Sequence, residues 1–270
     1  MKKQEGEMTF LDHLEVFRWH LIKSILAIVI MAVLAFVFKN FIFDTIIIAP
    51  RNPEFWTNRM LCKLAELLNT ATLCINQHPF KLVSPELAGQ FTIHITISLL
   101  AGLILASPYV LYQFWTFIAP ALYQKERKYA RTTIVISSAL FFIGITFGYF
   151  LIAPFTIYFL GSYSVSHQVE NYISLMSYIS TLASVVLAGG IAFELPVIVY
   201  FLSVLGIITP TFMVKYRRHS IIVILIVAAV ISSPDVFSQI MVSIPLVFLY
   251  EVSILISRRI YKRKQREMAG

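Results

Sequence analysis

Long apolar segments with few charges constrain this chain more than any other feature. Residues 132–160 include no charged side chain, and residues 175–208 include only Glu194. A helix of about 20 apolar residues crosses the roughly 30 Å hydrocarbon core of a bilayer. Charged residues make up 13% of the 270-residue chain, whereas about 25% is typical of a soluble domain. The chain is therefore predicted to be an all-α integral membrane protein.

Six segments match membrane helices in length or apolarity: 21–42, 91–113, 132–160, 175–208, 220–233 and 239–257. The last two are short, and a helix over the fifth would extend about 21 Å, less than the hydrocarbon core. Two arrangements remain open: six spans, or four spans followed by a half-depth cytoplasmic hairpin. We adopt six spans in a single membrane domain, residues 1–270. No small-residue cleavage site follows the first span, which is expected to be retained.

The basic residues are divided unevenly between alternate loops, which predicts the orientation. Seventeen of the 22 Lys and Arg residues fall before the first span, after the second and fourth spans, or in the tail. Because cytoplasmic loops carry the excess of Lys and Arg, both termini are predicted to be cytoplasmic. This placement accounts for the net charge of +8 without a nucleic-acid partner.

Segment 43–90 is predicted to form an exoplasmic cap loop. Within it, residues 56–71 have the pattern of a short amphipathic helix. Its expected apolar face consists of Met60, Leu61, Leu64, Leu67 and Leu68.

The only two cysteines, Cys62 and Cys74, both lie in this cap loop. An oxidising compartment would permit a disulfide there. On one straight helix their Cα atoms would be about 18 Å apart, whereas a bridge needs about 7 Å or less. A bridge therefore requires the chain to reverse near Asn69 and Thr70. Two free thiols remain the alternative.

The motifs of common enzyme classes are missing from the sequence. It has no G-x-x-x-x-G-K-[ST] loop for nucleotide and no G-x-S-x-G elbow. The six His residues are scattered, without the spacing of a zinc site. Asp235 is the only Asp near a span core, so a membrane aspartate pair is missing too. We predict that the protein is not an enzyme and binds neither a metal nor another cofactor.

Three acidic residues lie in or against the predicted spans: Glu194, Asp235 and Glu251. Ionisable groups in a bilayer are costly, and they usually face a protein interior or polar cavity and mark function. Structural roles stay open for two of them. Asp235 is placed to cap the sixth helix, and Glu251 to make a helix-packing hydrogen bond.

Glu194 has no comparable structural explanation. It lies between Gly189-Gly190 and Pro196. The proline deprives the carbonyl of Ala192 of its helical donor, so the local helix is deformable and polar. We predict a functional site at Glu194, with a groove beside the glycines.

The N-terminal segment 9–21, TFLDHLEVFRWHL, is typical of an interfacial amphipathic helix. Its acids, Asp12 and Glu15, lie on a side where basic residues dominate, and Glu126 is similarly isolated. Two interpretations remain open. In the first, Glu15 pairs with Arg18 and Glu126 is a solvated loop charge. In the second, these acids bind a cationic ligand.

Three motifs occur in order along the chain: SPYVLYQFWTFIAPALYQKERK at 107–128, FELPV at 193–197 and SPDVFSQ at 233–239. Together they resemble the TatC family, the multi-span core of the twin-arginine protein translocase, over nearly the whole chain. The resemblance implies six helices in a concave, tilted assembly in the cell inner membrane. It also implies export of folded proteins that carry paired-arginine signal peptides, driven by the proton gradient. The implied partners are TatA-like and TatB-like single-span proteins, with further copies of this chain in the complex.

The resemblance also implies roles for individual residues. Glu126 and Phe117 match the signal-peptide site. Glu194 matches the intramembrane acid of the concave face, and Asp235 matches the outer-tip aspartate. Ser232 and Gln239 match positions that contact partner helices, and Glu251 is grouped with these membrane contacts. The N-terminus departs from the family pattern H-L-x-E-L-R, since this chain reads HLEVFR. Val16 occupies the carboxylate position, and Glu15 or Asp12 is expected to substitute.

Two other functions compete with this interpretation. A proton-coupled small-solute transporter also places membrane acids beside Gly and Pro, although the two halves of this chain show no matching pair of broken helices. A structural scaffold would tolerate substitution of Glu126 and Glu194.

Overall fold

The computed structural model describes residues 10–68, 74–77, 80–118, 130–166, 171–231 and 236–269. The described helices are α1 (Phe10–Val37), α2 (Trp56–Leu67), α3 (Gly89–Ile118), α4 (Ala130–Phe147), α5 (Ala153–Ser162), α6 (Leu175–Phe193), α7 (Leu195–Val204), α8 (Pro210–Lys215), α9 (Arg217–Ile231) and α10 (Val236–Ala269). A π-helical turn, Phe41–Ile47, and a 3-10 turn, Ala49–Arg51, follow α1, and a second π-helical segment, Gly148–Ile152, joins α4 to α5. Two short strands, β1 (Leu82–Val83) and β2 (Ile173–Ser174), pair in parallel.

Five described helical stretches are long and apolar enough to cross a membrane: Leu14–Val37, Gly89–Ile118, Thr132–Ser162, Leu175–Val204 and Gln239–Arg266. They coincide with the predicted first, second, third, fourth and sixth spans, so the prediction of an all-α membrane protein is confirmed. The predicted fifth span corresponds to α9, whose 15 residues extend about 22 Å. The count of six spans, the concave assembly and the cytoplasmic termini stay predictions.

The C-terminal helix is longer than the sequence indicated. The predicted sixth span covers 239–257, whereas α10 runs from Val236 to Ala269. The basic residues of the tail are therefore presented on a continuous helix.

The chain divides into two compact units. One comprises Met1–Phe38 and Ile95–Ser138, and the other Lys39–His94 and Ala139–Gly270. The single domain over 1–270 stays a prediction. In the first unit α1 and α3 approach closely, because a Cβ on Gly102 would lie 2.6 Å from the backbone nitrogen of Ala32.

In the second unit, α7 and α9 both pack against α10, and α6 packs against the π-helical segment 148–152. The core of this unit includes Ala228 of α9, with no exposed surface, and Ile254 of α10, 1% exposed. These helices position the acids at 194 and 251.

Helix α2 confirms the helix predicted within the cap segment. Most of the predicted apolar face is exposed, with Leu67 at 79%. The buried side chains are Thr57, Asn58 and Ala65. Polar side chains dock this helix because they reach backbone carbonyls that the neighbouring turns leave available.

Candidate functional site

Glu194 interrupts the fourth span. It is the C-cap of α6 and the residue before α7. Its N–H donates to the carbonyl of Ile191 at 3.1 Å, and its own carbonyl accepts from Val197 and Ile198, both at 3.0 Å. Pro196 stands in the first turn of α7, where its missing N–H costs no helical bond. We call residues 191–198 the Glu194 junction.

The junction joins helices with different neighbours. Helix α6 contacts α9 and the π-helical segment, whereas α7 contacts α10 most extensively. The Glu194 side chain is half-buried, and its Oε1 atom is buried. The carboxylate is therefore partly accessible, which is a requirement for any group that contacts another molecule.

The two glycines before the junction are helix-packing positions. A Cβ on Gly189 would lie 2.7 Å from the carbonyl oxygen of Gly144, and one on Gly190 would lie 2.8 Å from Ile145 Cδ1. Small residues allow membrane helices to approach in this way. The expectation of a groove beside the glycines is therefore wrong, because α4 and the segment after it fill that space.

Glu251 of α10 forms an ion pair with Arg217, the first residue of α9. Beside it, the Tyr250 hydroxyl accepts from Ser220 Oγ and donates to the carbonyl of Met213, both at 2.9 Å. Arg217 was not singled out from the sequence, because nothing local relates two residues 34 positions apart. These contacts fit the packing role that the sequence left open for Glu251.

Two further polar contacts join the last helices. Ser203 of α7 donates to Ser257 of α10 at 2.9 Å, in a buried position. Gln239 Nε2 donates to the carbonyl of Leu225 at 3.2 Å, which connects α10 to α9. The Gln239 contact lies at the helix pair where the family resemblance implies partner binding.

An aromatic cluster forms in the first unit between α1 and α3. The rings of Phe17 and Phe117 are 5.2 Å apart, and His20 lies 6.1 Å from Phe117. His20 Nδ1 is 2.6 Å from Gln113 Oε1. The family motif indicated Phe117. The contact between His20 and Gln113 joins residues 93 positions apart, and no local pattern in the sequence predicts it.

Glu15 lies close to this cluster in sequence. Its Oε1 is 3.7 Å from Arg18 Nη2, and both side chains are largely exposed, 65% and 63%. The predicted i,i+3 pair is therefore present, and it is a weak surface pair.

Several predicted site residues lie outside the described part of the chain. These are Glu126, Ser232 and Asp235, together with the side chain of Asp12. Their assigned roles stay predictions.

Side-chain hydrogen bonds join parts of the cap segment, residues 43–90, to one another and to a helix. The fully buried Asn58 donates to the carbonyls of Pro50 and Asn52, at 3.1 and 2.8 Å. Asn76, with a positive φ of 56°, donates to the carbonyl of Pro154 at 3.2 Å. Asn tolerates this left-handed conformation better than most residues.

The two cysteines are bonded as a disulfide, with their Cα atoms 4.3 Å apart. Helix α2 ends at Leu67, which permits the return of the chain to Cys74. The expected reversal at Asn69 and Thr70 lies outside the described residues.

No three His, Cys, Asp or Glu side chains come together as a metal site among the residues that the structure describes. The polar groups of the junction and of the aromatic cluster are suited to binding peptides or helices, through carboxylates, an amide and aromatic rings.

The fold and its polar sites define a multi-span, all-α membrane protein. The family model of the Sec-independent protein translocase protein TatC matches residues 12–245. This chain belongs to the TatC family, a component of the twin-arginine translocase.

The similar relatives cover almost the whole chain. TatC of Blattabacterium sp. subsp. Periplaneta americana is 38% identical over 98% of this chain and 100% of its own length. TatC of Aquifex aeolicus is 34% identical over 97% of this chain and 99% of its own. TatCy of Bacillus subtilis is 33% identical over 98% and 94%.

Two solved structures have the same fold. The crystal structure of the twin arginine translocase receptor TatC is 33% identical and covers 92% of this chain and 99% of its own, with a TM-score of 0.65. The same receptor in DDM is also 33% identical and covers 91% and 99%, with a TM-score of 0.69. The family match favours protein transport over the solute-transporter alternative.

Proposed function

We propose that this chain is the receptor subunit of a twin-arginine translocase. It binds the paired-arginine signal peptides of folded proteins and recruits TatA-like and TatB-like single-span partners. The complex contains further copies of this chain and exports its substrates using the proton gradient. The chain lies in the cell inner membrane with both termini cytoplasmic, and it catalyses no reaction. The observation that carries this proposal is the match in sequence and fold, over nearly the whole chain, to proteins of the translocase.

The proposed peptide site combines acids with the aromatic cluster. Guanidinium groups pair with carboxylates through bidentate hydrogen bonds, which Lys does not reproduce equally. Glu15 is a suitable acid because its exposed pair with Arg18, at 3.7 Å, contributes about 0 to 1 kcal/mol. An arginine of the peptide therefore displaces Arg18 at little cost. Glu126 supplies a second carboxylate, and Asp12 is a further candidate.

Phe17 and Phe117 supply the apolar part of this site. Phe17 is 45% exposed, and it lies 5.2 Å from Phe117 between ring centroids. Exposed aromatic rings bind the apolar side chains of a peptide and stack on arginine. Acids and rings on α1 and α3 thus match the two chemical parts of a twin-arginine signal peptide.

Partner helices dock at the Glu194 junction and along the α9–α10 pair. A hydrogen bond between membrane helices contributes about 0.6 to 2 kcal/mol, which allows contacts to form and break during a transport cycle. Ser232, Gln239 and Asp235 contact the partners around α9 and α10. Glu251 stabilises this pair through Arg217.

The test is site-specific cross-linking between position 117 and a signal peptide that carries paired arginines. We expect a cross-link that is lost when both arginines are replaced by Lys. Glu126→Gln and Glu15→Gln should each weaken peptide binding about fivefold or more, since each removes a charge-assisted hydrogen bond. Protein abundance should not change.

The matched control is Glu54→Gln, which removes an exposed acid from the cap segment. It should leave peptide affinity unchanged. Equal affinity in wild type, Glu15→Gln and Glu126→Gln would refute the assignment of these acids. Binding of a twin-lysine peptide as tight as that of the twin-arginine peptide would refute the receptor proposal.

A further inference from the structure

A cleft of about 520 Å³ lies between α8 and α10 and has no part in the proposed function. Its lining residues are Pro210, Thr211, Val214 and Lys215 from α8, and Arg258, Tyr261, Lys262 and Gln265 from α10. The two helices pack directly against each other. The cleft is therefore formed by two adjoining elements of the second unit.

The cleft is positively charged. Three of its lining residues are basic, Lys215, Arg258 and Lys262, and no lining residue is acidic. In the part of the chain that the structure describes, none of the three forms an ion pair. The neighbouring acid Glu251 is held by Arg217. Three cations therefore line one cleft, and its lining supplies no carboxylate to neutralise them.

The composition of α10 predicts that the cleft lies at the edge of the membrane. The candidate span Gln239–Arg266 changes along α10 from apolar residues to a basic run that begins at Arg258. Lys and Arg side chains at such a position extend their charges to the interface and bury their stems. Tyr261 belongs to the residue types enriched at this depth, and Val214 and Pro210 add apolar surface.

We propose that this cleft binds the phosphate headgroup of an anionic phospholipid. The three cations bind the phosphate, while the apolar surface of Val214, Pro210 and Tyr261 contacts the start of the acyl chains. Basic pockets between membrane helices bind anionic headgroups on this basis. A zwitterionic lipid is disfavoured because it adds a cation, and a soluble anion makes no use of the apolar wall.

The test uses the full-length protein in dodecyl maltoside and counts bound lipid by native mass spectrometry. Phosphatidylglycerol and phosphatidylcholine of equal chain length are titrated separately. We expect one phosphatidylglycerol to bind at concentrations at which phosphatidylcholine does not. The triple variant Lys215→Gln, Arg258→Gln, Lys262→Gln should bind phosphatidylglycerol about a hundredfold more weakly, since each of the three cations near an anionic lipid contributes about 1 kcal/mol and every 1.4 kcal/mol is tenfold in affinity.

The matched control is a second triple variant, Arg218→Gln, Arg259→Gln, Arg266→Gln. It removes three exposed basic residues that do not line the cleft. It lowers the net charge equally and should change the affinity less than twofold. A charge-preserving triple variant, Lys215→Arg, Arg258→Lys, Lys262→Arg, should retain binding, which separates charge loss from misfolding.

Equal weakening in the cleft variant and the control would overturn the proposal in favour of diffuse attraction. Full binding by the cleft variant, or loss of binding by the charge-preserving variant, would also overturn it. Inorganic phosphate that displaces the lipid at similar concentration would show a free-anion site instead. None of these outcomes depends on signal-peptide binding.

Discussion

The cap segment and the Glu194 junction are both in the second unit, but they are held by different kinds of hydrogen bond. The cap is joined to the helices by bonds between residues far apart in sequence: Tyr178 of α6 donates to the cap carbonyl of Ile47 at 2.7 Å across 131 residues. At the junction, the backbone bonds are local, from Glu194 to Ile191 and from Val197 to Glu194. Long-range bonds fix one element against another. Local bonds do not set the angle between α6 and α7, which is determined by packing against adjacent helices.

This difference assigns different physical tasks to the two regions. The cap has a buried hydrogen-bond network and a disulfide, features that resist local unfolding. The junction has a half-buried acid and an interrupted helix. We therefore expect substitutions in the cap to reduce stability, and substitutions of Glu194 to reduce function with little change in stability.

The largest loss of stability is expected when the disulfide is removed. Cys62→Ser with Cys74→Ser should lower the free energy of unfolding by about 3 kcal/mol, because the reduced chain gains loop entropy. Unfolding in a detergent titration measures this change. Intact-mass analysis before and after reduction verifies the bond in the native protein, and two alkylatable thiols there would contradict it.

A smaller loss is expected for Asn58→Ala. This change removes the amide that donates to the carbonyls of Pro50 and Asn52 and accepts from Asn76, and a buried polar group that loses its partner costs about 1 to 3 kcal/mol. The same detergent titration should show it, with signal-peptide binding preserved in the folded fraction.

The control for Asn58 is Asn52→Ala, because the Asn52 side chain makes no hydrogen bond within the described residues. Its unfolding free energy should stay within about 0.5 kcal/mol of the wild type. Equal destabilisation by both changes would mean that the cap is not held by the Asn58 network.

The smallest change in stability is expected for Glu194→Ala. The protein should remain folded and inserted, with an unfolding free energy within about 1 kcal/mol of the wild type. Export of a folded twin-arginine reporter should nevertheless fall severalfold, because the partner helix loses its polar contact. Glu194→Gln retains most hydrogen bonding and should retain partial export.

Cross-linking from position 194 to TatA-like and TatB-like helices provides the direct measurement. Normal export and an unchanged cross-linking pattern in Glu194→Ala would identify the carboxylate as a packing residue. Strong destabilisation by the same variant would remove the contrast between the junction and the cap.

The interruption at Glu194 could be predicted because its cause is local. A proline two residues after the acid limits the preceding helix, and α6 ends at Phe193. The groove beside Gly189 could not be judged from the sequence. Glycine permits close approach, but only the tertiary structure shows that Gly144 occupies the space.

Helix α2 illustrates the same limit. Its residues predict an apolar face correctly, but the pattern does not say which medium or element covers that face. Thr57 and Asn58 are buried instead, because their hydrogen-bond partners, Phe150 and Pro50, are brought near by the fold. In a membrane protein, amphipathicity alone does not identify the buried side.

The sequence by itself determined the membrane class, the positions of the long helices and the family. These follow from apolar length, measured against a bilayer of known thickness, and from contiguous motifs. Only the tertiary structure decided that Arg217 pairs with Glu251, that Gln113 bonds to His20, and that the glycines pack against α4. Lipid and neighbouring helices are both apolar, so hydrophobic patterning cannot distinguish the surfaces that face them, and contacts between residues far apart in sequence arise only when the helices assemble.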